Sequence, residues 1–137
     1  MKKLVLLITL CIFLVPMSNC FAARYLNGDR NMVNLKQDTY INKVSVNVKK
    51  YAPPEYIVSI EVIEADMEGN INSRRTETFY YDYNKKEMYC YENGQWIYVY
   101  PDYREAVNAD RRDVGEAAFY VAYKIPFYGC FDSYDRF

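Results

Sequence analysis

The 137-residue sequence predicts an α+β domain: a five-stranded antiparallel meander sheet with one C-terminal helix packed on its apolar face. Three observations predict it. Four turn signals divide the middle of the chain into short stretches whose apolar residues alternate. The alternating faces agree when neighbouring stretches are paired through those turns. Beyond residue 113 the apolar period lengthens from two residues to that of a helix.

The first 22 residues stand apart from this domain. Lys2-Lys3 precede an apolar run from Leu4 to Val15, Pro16 breaks the run, and Ala22-Ala23 supply small residues. This is the layout of a secretory signal peptide, with a cut expected after Ala22. The apolar run is shorter than the roughly 20 residues of a membrane-spanning helix. A competing reading makes Cys20 a lipid-modified first residue, although Asn19 is a poor neighbour for that processing. The expected domain is residues 23–137, exported to the periplasm, the cell surface or the medium. Membrane association is expected only through the signal segment or a lipidated Cys20.

Residues 23–137 carry 15 basic and 18 acidic residues, a net charge of −3. That balance gives neither a basic footprint for nucleic acid nor a polybasic membrane patch. The dibasic pairs Lys49-Lys50, Lys85-Lys86 and Arg111-Arg112 fall between expected elements and read as solvated turns. Cys90 and Cys130 remain after the signal segment, an even number in an exported chain, so one disulfide is expected between them. Closing that loop of about 40 residues would contribute roughly 4 kcal/mol by chain entropy.

The turns lie at Ala52-Pro53-Pro54-Glu55, Glu68-Gly69-Asn70, Asn84-Lys85-Lys86 and Asn93-Gly94. The inner faces are expected to be Val44/Val46/Val48, Val58/Ile60/Val62, Phe79/Tyr81/Tyr83, Met88/Cys90 and Ile97/Val99. Asn93-Gly94 is a strong hairpin signal because both residues tolerate positive φ. A two-residue loop there sets Glu92 opposite Gln95, Tyr91 opposite Trp96, Cys90 opposite Ile97, Tyr89 opposite Tyr98 and Met88 opposite Val99. A turn on Lys85-Lys86 would set Tyr83 opposite Met88 and Tyr81 opposite Cys90. A loop over residues 51–55 sets Val48 opposite Val58 and Val46 opposite Ile60. The pattern leaves room for an extra short strand near Met32–Leu35 beyond the five. Asp113-Val114-Gly115-Glu116 reads as a capping box. The helix would follow through Val114, Ala117, Ala118, Val121, Ala122 and Ile125, and Pro126 would end it. Phe127–Phe137 forms an aromatic tail.

The chain contains no histidine. That excludes Ser-His-Asp and Cys-His catalysis and the commonest transition-metal ligand. No cofactor and no metal site is expected. Eighteen acids make carboxylate pairs easy to draw, yet Glu61 and Glu64 point to opposite faces of a strand, Asp132 and Asp135 lie in the tail, and Glu116 belongs to the cap. Asp66, Glu68 and Asn70 around Gly69 lack the full calcium-loop pattern and read as a hairpin turn. A catalytic function is not expected, and a carboxylate hydrolase is the least favoured reading.

The aromatic residues are the remaining signal. All 16 tyrosines lie beyond residue 22. The expected register places Tyr89, Tyr91, Trp96, Tyr98 and Tyr100 on the outer face of the sheet, with Tyr80 beside them. Cross-strand aromatic pairs stabilise a sheet by a fraction of a kcal/mol each, so structure alone could account for them. Exposed, they would form a binding surface of the residue types that dominate interface hot spots. The expected partner is a protein surface, with glycan stacking second. A different class of function is a secreted enzyme inhibitor presenting a loop or the tail Phe131–Phe137.

Two stretches resemble a known family. "DTYINKVSV" (Asp38–Val46) and "GQWIYVYP" (Gly94–Pro101) are similar to small exported bacterial proteins and, more loosely, to the surface-adhesin protein E type of domain. The resemblance covers about two-thirds of the chain beyond the signal segment. Asn42 stands where that family has an acid. The resemblance implies an antiparallel sheet with a packed helix, a surface or envelope location, and binding to host or matrix macromolecules. It carries no individual binding residue onto this sequence.

Overall fold

The computed structural model describes residues 24–137. The expected signal segment, its cut after Ala22, and Cys20 lie outside the described residues.

Six strands form one antiparallel sheet in chain order: β1 (Met32–Lys36), β2 (Thr39–Ala52), β3 (Glu55–Ala65), β4 (Ile71–Asp82), β5 (Glu87–Glu92) and β6 (Gln95–Val99). The architecture is therefore the expected α+β meander with six strands rather than five, β1 being the short strand read near Met32. One helix, α1 (Ala106–Tyr123), crosses the inner face. Its Val114, Ala117, Ala118 and Phe119 pack on Val58, Ile60, Val62, Phe79, Tyr81 and Met88. At Gly115 the approach is closest: a Cβ there would lie 2.5 Å from the Met88 sulfur and 2.9 Å from the Phe79 ring. The Tyr81 hydroxyl donates to the Gly115 carbonyl at the same point.

The β5–β6 hairpin has the expected register at all five pairs, from Glu92 with Gln95 to Met88 with Val99. Asn93 (φ 49°) and Gly94 (φ 81°) adopt the left-handed conformation that a type I′ turn demands. Two other registers differ from expectation. Tyr81 stands opposite Met88 and Phe79 opposite Cys90, a displacement of two residues from the pairing set by a turn on Lys85-Lys86. The cause is Asp82, whose carboxylate accepts the Lys85 N–H at 3.1 Å and ends β4 one residue before Tyr83. A shift of two preserves the face, so the core composition is unchanged.

In β2 the face itself changes. Between Asn42 and Asn47 the strand advances five positions while β3 moves only from Glu61 to Ser59. Ser45 bridges the bulge, donating to the Asn42 carbonyl at 2.7 Å and accepting the Glu61 N–H at 2.8 Å. Val48 still pairs with Val58, but the expected Val46–Ile60 pair falls in the irregular stretch, and Val44 is 71 % exposed. Ile41 takes the inner position opposite Val62. A bulge of this kind reverses side-chain direction along a strand, so alternation read across it fails.

The helix is longer than expected at its N-terminus and lacks the capping box. Its cap position is Glu105, with no side-chain cap bond, and Asp113 and Glu116 lie in its interior. Lys124, in the left-handed conformation, closes the C-terminus by donating to the Tyr120 carbonyl at 2.7 Å, so Ile125 lies beyond the helix.

The expected Cys90–Cys130 bond is not formed; both thiols are free. Cys90 sits on the inner sheet face between Phe79 and Ile97. The Cys130 sulfur lies 3.9 Å from the Asp113 carboxylate. On a helix Asp113 lies about 160° around from Gly115, the residue that meets the sheet. The helix therefore stands between the two sulfurs. Burial pushes each thiol up to about 12.

Candidate functional site

Two surfaces bring chemistry-bearing side chains together: the outer face of β4–β6 and a cleft beside the tail.

On the outer face, pairing in register stacks one aromatic row across three strands. Tyr80 meets Tyr89 at 5.8 Å between ring centroids and Trp96 at 5.9 Å. Tyr89 meets Tyr98 at 5.4 Å, Tyr91 meets Trp96 at 5.0 Å, and Tyr98 meets Tyr100 at 4.9 Å. The five residues singled out from the sequence thus share one connected surface, with Tyr80 as its sixth member. Tyr91, Trp96 and Tyr100 are 49 %, 42 % and 41 % exposed; Tyr80, Tyr89 and Tyr98 are half-buried beneath them. Two of the lower hydroxyls are engaged: Tyr80 donates to Glu55 at 3.0 Å and Tyr89 to Glu87 at 3.2 Å. Partial burial raises the pKa of both phenols, the neighbouring carboxylates adding to it. At the other end the Arg104 guanidinium lies 4.8 Å over the Tyr100 ring. One end of the outer face of β2 and β3, by contrast, is covered. Leu26, in a short 3-10 turn (Leu26–Gly28), seals Tyr40, Ile63 and Ala65 beneath it.

The cleft, about 680 Å³, lies between β1, α1 and the tail. Its wall includes Arg24, Lys36, Arg136, Asp113, Asp135 and Cys130. Sequence reading left Asp132 and Asp135 as tail acids; both face this cleft. Its charges are largely paired. Arg24 meets Asp135 at 3.1 Å, and Arg112 meets Asp113 at 2.7 Å. The Ser133 hydroxyl and Arg24 together hold the Asp135 carboxyl below its usual range.

Sequence reading missed the residue that organises the tail. Glu116, fully buried, accepts backbone N–H bonds from Phe127 (3.0 Å), Tyr128 (2.7 Å) and Gly129 (3.1 Å), and the Tyr134 hydroxyl donates to it at 2.6 Å. Three successive amides converging on one carboxylate form a nest, and Gly129 turns the chain there with φ 72°. The available signal was an acid inside the apolar run Val114–Ala118, which burial makes costly unless donors surround it. Asn108 is the second such residue. Its side chain accepts the Tyr100 N–H at 2.9 Å and donates to the Tyr100 carbonyl at 3.1 Å, fixing the end of β6.

No family model, curated protein or solved structure matches this chain. Among the described residues no cluster of His, Cys, Asp and Glu could hold a metal ion, and no helix is long and apolar enough to cross a membrane.

Proposed function

We propose that this chain is a non-catalytic exported binding protein whose outer sheet face docks a protein partner. The observation that carries the reading is the exposure of Tyr91, Trp96 and Tyr100 on top of a connected row of half-buried rings. Such rings offer flat contact area with little side-chain entropy to lose, and the layer below holds them in place. Carboxylates Glu55 and Glu87 lie at one margin and Arg104 at the other, which gives the surface a polar rim. The resemblance of Asp38–Val46 and Gly94–Pro101 to the protein E type of adhesin domain points the same way, toward an envelope location and a macromolecular partner. The leader-like first 22 residues support export.

The inhibitor reading fits less well. Phe131, Tyr134 and Phe137 pack on one another and on Tyr120 of α1, so the tail is part of the fold rather than a presented segment.

The test is a triple substitution, Tyr91→Ser, Trp96→Ser and Tyr98→Ser, assayed against purified extracellular-matrix proteins and, in parallel, a glycan array. The expected result is saturable protein binding that the triple variant loses while its circular dichroism stays that of the parent. Binding to glycans alone, unaltered protein binding by the variant, or collapse of its fold overturns the reading.

A further inference from the structure

An antiparallel sheet of six strands has two outer edges, and this one treats them differently. At β1 the edge is covered: Tyr25 forms a bridge to Val33, and the Arg24 carbonyl accepts the Asn34 N–H at 2.9 Å. The part of β4 that extends past β5 carries Arg74, Arg75 and Glu77, charged residues of the kind that discourage pairing at an edge. Along Gln95–Val99 the β6 edge has neither protection. From Gln95 to Pro101 the sequence QWIYVYP holds no charge.

The hairpin fixes which β6 groups are free. In a two-residue loop the flanking residues exchange both backbone bonds, and pairs alternate from there. Gln95 and Ile97 therefore bond toward β5, and Val99 faces it with the Tyr128 hydroxyl set between, accepting the Met88 N–H at 3.2 Å and donating to the Val99 carbonyl at 2.7 Å; Trp96, Tyr98 and Tyr100 turn their N–H and C=O outward. At Tyr100 the Asn108 amide occupies both. Among the described residues no hydrogen bond reaches the backbone of Trp96 or Tyr98 from the outer side.

We infer that this edge pairs with the β6 edge of a second copy of this chain, antiparallel about a two-fold axis at Ile97. In that register Trp96 faces Tyr98 of the second copy and Tyr98 faces its Trp96. The two N–H and two C=O groups on each edge are then all satisfied, in four bonds. Identical strands paired antiparallel set the residue on the axis opposite its own symmetry mate and its neighbours diagonal to theirs, so any charge near the axis would repel itself. The uncharged stretch removes that penalty. Trp96 and Tyr98 lie on the outer face, so the aromatic row continues from one copy into the next. The Asn108 cap at Tyr100 limits the pairing to residues 95–99 of each copy. This inference rests on the edge and stands independently of what the outer face binds.

The protein, purified as its host processes it, is followed by sedimentation velocity across a concentration series, with hydrogen exchange at the Trp96 and Tyr98 amides. The expected result is a concentration-dependent doubling of mass, with exchange at those two amides slowing in step. Ile97→Arg and Ile97→Glu, each alone, should leave only monomer. An equimolar mixture of the two should recover the dimer, because opposite charges then meet at the axis. Ile97 points toward the helix side, so partner binding through Tyr91, Trp96 and Tyr98 should survive both substitutions, which separates this result from a failure of the binding reading. Should the single variants unfold, exchange in the parent decides. A parent that stays monomeric, a dimer whose Trp96 and Tyr98 amides remain unprotected, or a parent edge that captures an extended peptide without self-pairing overturns the inference.

Discussion

Glu116 shows how one side chain can decide the path of a dozen others. Its carboxylate gathers the amides of Phe127, Tyr128 and Gly129 and the Tyr134 hydroxyl, and so turns the chain back over α1 after Lys124. Replacing it by alanine leaves buried N–H groups without an acceptor, each worth about 1–3 kcal/mol if water cannot reach it. We expect Glu116→Ala to destabilise the domain by about 2–4 kcal/mol in urea unfolding, and to expose the tail to proteases first. Loss of stability with the tail still resistant to cleavage would show that the clamp is not what holds it. Arg112 acts similarly on the preceding loop. It is 3 % exposed, its guanidinium lies 3.5 Å over the Tyr103 ring, and it donates to the Pro101 carbonyl at 3.3 Å. Residues of this kind were hard to place from sequence, because a Glu or an Arg reads as surface until its donors or acceptors are seen.

Among the elements, α1 and β2 differ most from their sequence reading. The helix was recognised from Val114 onward because alanines and valines recur there at helical spacing. Its first two turns, from Ala106, are more polar and were read as loop. They become helix because Asn108 and Arg112 anchor them to the end of β6 and to the loop that follows. The contact of α1 with the sheet depends on the absence of a side chain at Gly115. We expect Gly115→Ala to cost about 1–3 kcal/mol by overpacking against Met88 and Phe79, although alanine is the better helix former by about 1 kcal/mol. Thermal unfolding measures the balance; an increase in stability would mean that the sheet yields easily under the helix. In β2, alternation was extrapolated through a bulge that no local pattern marks. The β5–β6 hairpin was legible pair by pair, because Asn93-Gly94 encodes its own turn and every register position follows from it.

At the scale of the whole molecule the layers are sheet, helix and tail. Carboxyls at the sheet margins are held below their usual range: Glu55 by Lys50 and Tyr80, Glu61 chiefly by Asn42, Asp66 by Asn70, and Asp82 chiefly by the Lys85 backbone N–H. A lowered folded pKa contributes stability that is present above the unfolded value, about 4, and is lost as pH falls through the folded value. The buried phenols of Tyr81, Tyr128 and Tyr134 are shifted the other way by burial. Their contribution is present below the unfolded value, about 10, and is lost as pH rises through the folded one. Stability should therefore fall on both sides, below about pH 4 and above about pH 10, in denaturant unfolding followed across pH. Asp82→Asn should weaken the acid limb. A stability flat from neutral pH down to the acid extreme would contradict the assigned partners.

The sequence by itself determined the antiparallel class, the β5–β6 register, the inner face of β3 to β6, and the shared outer face of Tyr89, Tyr91, Trp96, Tyr98 and Tyr100. Those follow from a period of two and from turns whose residues specify positive φ, both of which are local. Tertiary structure alone decided the β2 bulge, the separation of Cys90 from Cys130 by α1, the fold-back of the tail onto Glu116, and which of the outer rings face solvent. Each of those depends on a contact between residues far apart in the chain, and a buried acid or a free thiol is indistinguishable from an exposed one until the chain around it has closed.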